Sequence, residues 1–210
     1  MEVRQLGVVE YREGVALQEQ LRGDLQRGTG SEVLLLLEHP PVYTLGRRSG
    51  PEDLPMGRDW YLGNGIDVVE TDRGGKLTYH GPGQLVGYPI MRVDDVIAYV
   101  RGLERAIVAA LATEGLEATT REGKDFTGVW IEDRKIASIG VHVQRGVTTH
   151  GFAVNVDNDL QPFEWVVPCG LPEVRMTSVC KELGESGRLA HFREAMADAF
   201  GTEVRPRAGR

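Results

Sequence analysis

Residues 127–155 read TGVWIEDRKIASIGVHVQRGVTTHGFAVN, and this stretch decides the fold. Three β-branched runs (127–132, 135–144 and 147–155) are separated only by short polar turns, Arg145-Gly146 among them. Such spacing predicts an antiparallel meander. Outward from it, residues 15–27 carry Leu17, Leu21 and Leu25 on one helical stripe, with Gly28 as a stop. Residues 94–114 repeat the pattern more strongly: Ile97, Val100, Leu103, Ile107, Val108 and Leu111 keep a 3.6-residue period, and Gly115 follows. Two more helices are predicted near 176–183 and 189–200, and extended segments at 6–11, 33–39, 42–45, 67–72, 76–80 and 85–90. Strands and helices are mixed without strict alternation. The expected fold class is therefore α/β (α+β), a mixed central β-sheet covered by helices, in a single domain over residues 1–210.

Composition narrows the function. The 210 residues suffice for a substantial core, and 41% apolar with 26% charged content is ordinary for a soluble protein. The N-terminus MEVRQLGVVEYREG lacks the layout of a signal peptide, and the longest aliphatic run, residues 33–37, is far short of a membrane span. A cytoplasmic protein without membrane contact is expected. The net charge of −7 argues against nucleic-acid partners. Two cysteines separated by ten residues make neither a disulfide framework nor a zinc set, and no histidine pair has ligand spacing, so no metal is expected.

Two stretches invite chemistry. Residues 71–90, TDRGGKLTYHGPGQLVGYPI, hold five glycines and two prolines. Their plain reading is a hairpin with a glycine-rich tip. Their functional reading is a ligand loop on which paired glycines let backbone approach, with Arg73, Lys76, Tyr79 and His80 nearby. It is not a Walker loop, because Leu77 follows Lys76 where Ser or Thr is required. The second stretch, WVVPCGLPE at residues 165–173, sets Cys169 between a proline and a glycine, where the chain must turn. A buried structural cysteine such as Cys180 needs no such setting. A nucleophilic thiol needs a base or a cation beside it, and His80, His150 and Lys135 are all open as that neighbour. By position alone Lys135 reads as a solvated lysine beside a turn.

RGGKLTYHGPGQLVGYP, DRKIASIGVHVQRGVTTHGFAVNV and VPCGL, in that order, resemble the octanoyl-[acyl-carrier-protein]–protein octanoyltransferases of lipoate synthesis. HPPVYTLGRRS at residues 39–49 agrees, and the motif core spans residues 39–183. The resemblance implies the biotin/lipoate protein ligase-like fold. It implies transfer of an octanoyl group from octanoyl-acyl carrier protein to a lysine of a lipoyl domain. The acceptors would be the lipoyl domains of 2-oxoacid dehydrogenase complexes and the glycine cleavage H protein. The catalytic pair implied is Cys169, which carries the acyl group as a thioester, and Lys135, which draws that thiol toward its thiolate. Substrate contacts are implied at Arg73, Gly74, Gly75, Lys76, Leu77, Thr78, Tyr79 and His80, at Ser138, Ile139 and Gly140, and at Gly151, Phe152 and Ala153. No cofactor and a monomeric enzyme are expected.

Exchange of one thioester for another is nearly neutral, and the amide formed next drives transfer forward without a nucleotide. Burying the six methylenes of an octanoyl tail would contribute on the order of 5 kcal/mol. Because one methylene discriminates only modestly, chain-length selection must come from whatever closes the tunnel. Three rivals are set aside by this reading: an ATP-dependent ligase, which needs no cysteine; a non-catalytic binding module; and a Cys–His hydrolase.

Overall fold

The computed structural model describes residues 1–123, 125–166 and 174–204. The chain runs β1 (Glu2–Val8), α1 (Tyr11–Arg27), β2 (Val33–Glu38), β3 (Val42–Leu45), a 3₁₀ turn (Pro51–Asp53), α2 (Arg58–Gly63), β4 (Asp67–Glu70), β5 (Thr78–His80) and β6 (Gln84–Ile90). It continues through α3 (Val96–Thr113), β7 (Thr119–Thr120), β8 (Gly128–Ile131), β9 (Arg134–Gln144), β10 (Val147–Asn155), α4 (Gln161–Glu164), β11 (Arg175–Met176), α5 (Val179–Leu183) and α6 (Leu189–Glu203).

Among the described residues the main sheet has the order β1-β2-β6-β10-β9-β8-β7, with β11 added alongside β9. The β1–β2 and β11–β9 pairs are parallel and the others antiparallel, so the sheet is mixed as expected. The turn at Arg145-Gly146 has φ of 50° and 73°, the left-handed pair that a two-residue hairpin requires. Strand β2 shows why its sequence is uniformly aliphatic. Leu34 and Leu36 join the core beneath α3 and α6, while Val33, Leu35 and Leu37 join the one beneath α1. Both faces are covered, so alternation disappears.

A smaller sheet, β4-β3-β5, packs with α2 and α4 around Tyr43, Tyr61, Tyr79 and Phe163. Strands β5 and β6 therefore belong to different sheets. The Gly81-Pro82-Gly83 turn carries the chain from one to the other and is not a hairpin tip. Gly83 has φ 85°, and a Cβ there would stand 2.7 Å from the backbone of Asn158.

Element boundaries shifted where capping chemistry intervenes. Residues 6–11 were expected to be extended, but the Glu10 carboxylate accepts from the Arg12 and Glu13 amides and starts α1 at Tyr11. Similarly, the predicted 176–183 helix divides: Met176 pairs with Lys135 in β11, and Ser178 caps a helix that begins at Val179. No described helix is long and apolar enough to cross a membrane.

Candidate active site

The cleft lies where the smaller sheet and its glycine loop meet β9 and β10. It encloses about 650 Å³, mouth included. Arg73, Gly75, Lys76, Leu77, Thr78 and His80 line one side; Lys135, Ser138, Ile139, Gly140, Gly151, Phe152 and Ala153 line the other. The structure thus brings together most of the residues singled out from the sequence. Gly74 and Tyr79 do not line it: the Gly74 amide is spent on the Val141 carbonyl at 3.0 Å, and the Tyr79 ring packs against Tyr43 and Phe163. Cys169 lies outside the described residues.

A β-bulge aims Lys135. Gly128 and Val129 on β8 face Ser138 and Ala137, yet Trp130 faces Lys135, so Ile136 is an extra residue on β9. Ile136 and Ala137 both enter the core beneath α3. The side-chain alternation is thereby reset, and Lys135 reaches the same cleft as Ser138 and Gly140. Lys135 is only 2% exposed, and its Nζ lies 5.4 Å from the centre of the Trp130 ring. The solvated-turn reading is wrong because β11 and Trp130 cover the strand that the turn feeds.

The glycine loop is held by its own arginine. Arg73 donates from Nη2 to the Thr44 carbonyl at 2.5 Å and from Nη1 to the Lys76 carbonyl at 2.8 Å, while its Nε reaches Thr44 Oγ1. The Arg47 and Arg48 amides bond the Arg73 and Gly75 carbonyls. Gly46 must be a glycine, since a Cβ there would lie 2.5 Å from the Gly75 oxygen. Lys76 turns its amine toward Asp53 at 3.8 Å and Glu52 at 3.9 Å.

The other end of the cleft is a cluster of rings that sequence reasoning did not assemble. Tyr11 stacks on His80 with centroids 6.0 Å apart, and His39 meets His80 edge-on at 5.7 Å. His39 Nδ1–H donates to the Val9 carbonyl and Tyr88 donates its hydroxyl to His39 Nε2, each at 2.7 Å. Burial holds His39 down at about 4 and His80 well below its ordinary value. A chain of amides fixes the His80 tautomer. The Asn155 amide donates to the Thr177 carbonyl at 3.0 Å, and the Gln84 amide donates to the Tyr79 carbonyl and to Asn155 Oδ1. Gln84 Oε1 must therefore accept from His80 Nδ1, at 2.7 Å. The Thr177 amide donates in turn to the Lys135 carbonyl at 3.0 Å, so the network ends beside the lysine.

His150, one of the thiol neighbours left open from the sequence, has its Nε2 2.8 Å from Asp72 Oδ1. That hydrogen bond holds Asp72 down at about 2, against the opposing effect of its partial burial. Tyr11, Tyr88, Arg48, Asp125 and Thr127 complete the lining. They come from α1, from β6 and from the segments after β3 and before β8, and only the fold brings them together.

The architecture defines the class. It superposes on lipoate-protein ligase A bound with ATP with a TM-score of 0.76 at 20% identity, covering 97% of this chain and 86% of that one. On biotin protein ligase from Aquifex aeolicus in complex with biotin and ATP the score is 0.56 at 12% identity, over 97% and 70% of the chains. Residues 10–201 match the lipoyl protein ligase A/B catalytic domain, and the chain belongs to that family.

Within the family its likeness is more particular. It is 48% identical to the octanoyltransferase of Solibacter usitatus over 98% of this chain and 96% of the relative. It is 47% identical to that of Syntrophotalea carbinolica over 95% and 92%. The chain spans 58% of the length of a third octanoyltransferase, from Myxococcus xanthus, to which it is 45% identical over 95% of its own length. The fold and the family expected from the sequence motifs are both borne out.

Proposed function

We propose that the protein transfers an octanoyl group from octanoyl-acyl carrier protein to a lysine amine of lipoyl domains, through a thioester on Cys169. One observation carries this reading: an amine, Lys135, is withdrawn from solvent at one end of a cleft whose floor is small residues and whose other end is closed by rings. That shape suits a linear acyl chain with its reactive carbonyl at the lysine.

In the first half-reaction the Cys169 thiolate attacks the carrier's thioester carbonyl, and the carrier thiolate leaves and takes up the proton that Lys135 drew from the Cys169 thiol, which returns the lysine to its neutral amine. In the second, the acceptor amine attacks the Cys169 acyl thioester. The tetrahedral adduct collapses to an amide, the cysteine thiolate leaves, and the amine proton passes to Lys135. No step consumes a nucleotide. The backbone at Gly140 and Gly151 is a further candidate, as donor to the oxyanion, but substitution there does not isolate that role. A Cβ would stand 2.9 Å from the Gly74 oxygen at Gly140 and 2.2 Å from the Gly87 oxygen at Gly151, so packing would fail first.

The likeness to ATP-bound ligases makes nucleotide dependence the decisive test. Octanoyl-carrier protein, the enzyme and an apo lipoyl domain, mixed without ATP, should yield the octanoylated domain; free octanoate with ATP should yield none. Product from octanoate and ATP alone would make the protein a ligase. Free octanoate released faster than the domain is modified would make it a hydrolase.

A further inference from the structure

The cleft shares a wall with an outer groove. Tyr11 and His150 line the cleft, and the same two side chains line an outer groove of about 850 Å³, open solvent included, whose apolar floor is Val15 and Val69 and whose rim carries Arg12, Glu19, Arg22 and Asp72. His150 pairs with Val141, six positions along β9 from Lys135, so this wall stands at the end away from the lysine.

The wall is thin and firmly set. Tyr11 is 2% exposed and stacked on His80; His150 is 4% exposed, held by Asp72 at Nε2 and by Gln18 Oε1 on its backbone amide at 2.6 Å. His150 has φ 56°, a conformation that takes its side chain out of the strand's alternation. The Tyr11 hydroxyl and His150 Nδ1 are buried without a hydrogen-bond partner among the described residues. Each added methylene that finds an apolar site strengthens binding about fourfold. A cleft open at this end would therefore favour chains longer than octanoyl, and selection against them requires a steric stop.

We propose that Tyr11 and His150 are that stop: a partition whose removal joins the acyl cleft to the outer groove and lengthens the chain the enzyme accepts. The proposal rests on the acyl-transfer reading above and adds the residues that set its specificity.

The test compares octanoyl- and dodecanoyl-carrier protein as donors and reads the ratio of their kcat/KM values. Tyr11→Ala and His150→Ala should each raise the dodecanoyl-to-octanoyl ratio at least tenfold, and Tyr11→Phe should leave it unchanged. Adding Val15→Trp to Tyr11→Ala, which fills the outer groove, should restore the original preference. Val15→Trp alone should change nothing, and this variant keeps the idea testable if the alanine variants fail to fold. A fall in octanoyl transfer in Val15→Trp would show that the chain already crosses the wall, and would overturn the partition. So would an octanoyl-active alanine variant with an unaltered ratio. Absence of any octanoyl transfer by the unsubstituted enzyme would instead overturn the functional reading itself.

Discussion

Gly128 stands directly against the side chain of Lys135: a Cβ at Gly128 would lie 2.8 Å from Lys135 Cε and 3.4 Å from Nζ. The same Cβ would meet the Ala137 carbonyl at 2.4 Å, and Gly128 has φ 136°, which side-chain-bearing residues avoid. Gly128→Ala should displace the lysine and strain the bulge together. Activity should fall at least tenfold, and the melting temperature by roughly 2–10 °C, from about 1–3 kcal/mol of overpacking. Steady-state transfer assays and thermal melts check both; unchanged turnover would mean that the lysine is not confined as described.

Lys135→Met removes the amine while roughly preserving volume in a site that is 2% exposed. Transfer should drop by about 10²–10⁴-fold, the usual worth of a positioned proton acceptor. A thermal melt of the same variant separates loss of the proton acceptor from loss of the fold. A melt well below that of the unsubstituted protein would show that Lys135 is structural.

Two buried histidines predict how stability varies with pH. His39 titrates at about 4 when folded, and His80 is also pushed well down, both chiefly by burial. Unfolded histidine titrates near 6.5, so between about pH 6.5 and 4 the unfolded chain binds more protons than the folded one. Stability must then rise with pH across that window and fall on acidification. His39→Asn should flatten the slope of melting temperature against pH there. An unaltered slope would place the titrating group elsewhere.

Asn155→Ala would leave the Gln84 amide and the Thr177 carbonyl each short of a partner, at roughly 1–3 kcal/mol per group. Because the Thr177 amide holds the Lys135 carbonyl, kcat should fall with stability. Chemical denaturation and a kcat measurement on the same variant check the pair. Loss of stability with full turnover would separate the network from the lysine.

Local basic charge on an acidic protein should steer acidic protein partners. Arg48 lines the cleft and pairs with Asp125 at 2.8 Å, and Arg47 lies beside His142 at 2.9 Å. Arg58 is different, because its guanidinium caps the Val68 carbonyl at 2.5 Å. Glutamate at positions 47 and 48 should raise the KM for the carrier and flatten its salt dependence, whereas glutamate at 58 tests packing. Equal salt dependence in the double variant would place docking on another face.

The sequence announced what local chemistry determines. The Arg145-Gly146 turn, the Gly28 stop of α1 (φ 75°) and the extent of β10 (Val147–Asn155) follow from residues in contact with one another along the chain. The bulge at Ile136 did not show, since Ile-Ala reads as ordinary strand until its pairing with β8 is known. Nor did the ring cluster: Tyr11, His80 and Tyr88 come from α1, β5 and β6 and His39 from the loop after β2, and only the fold brings them together. Motif resemblance supplied the cleft residues, whereas Tyr11 and His150 at its closed end required the fold.

The most direct measurement is the intact mass of the enzyme after mixing with octanoyl-carrier protein. The account predicts a gain of one octanoyl group, absent in Cys169→Ser and discharged when an apo lipoyl domain is added. An enzyme that modifies the lipoyl domain at full rate without ever carrying that mass, or whose Cys169→Ser variant is loaded equally well, would contradict it.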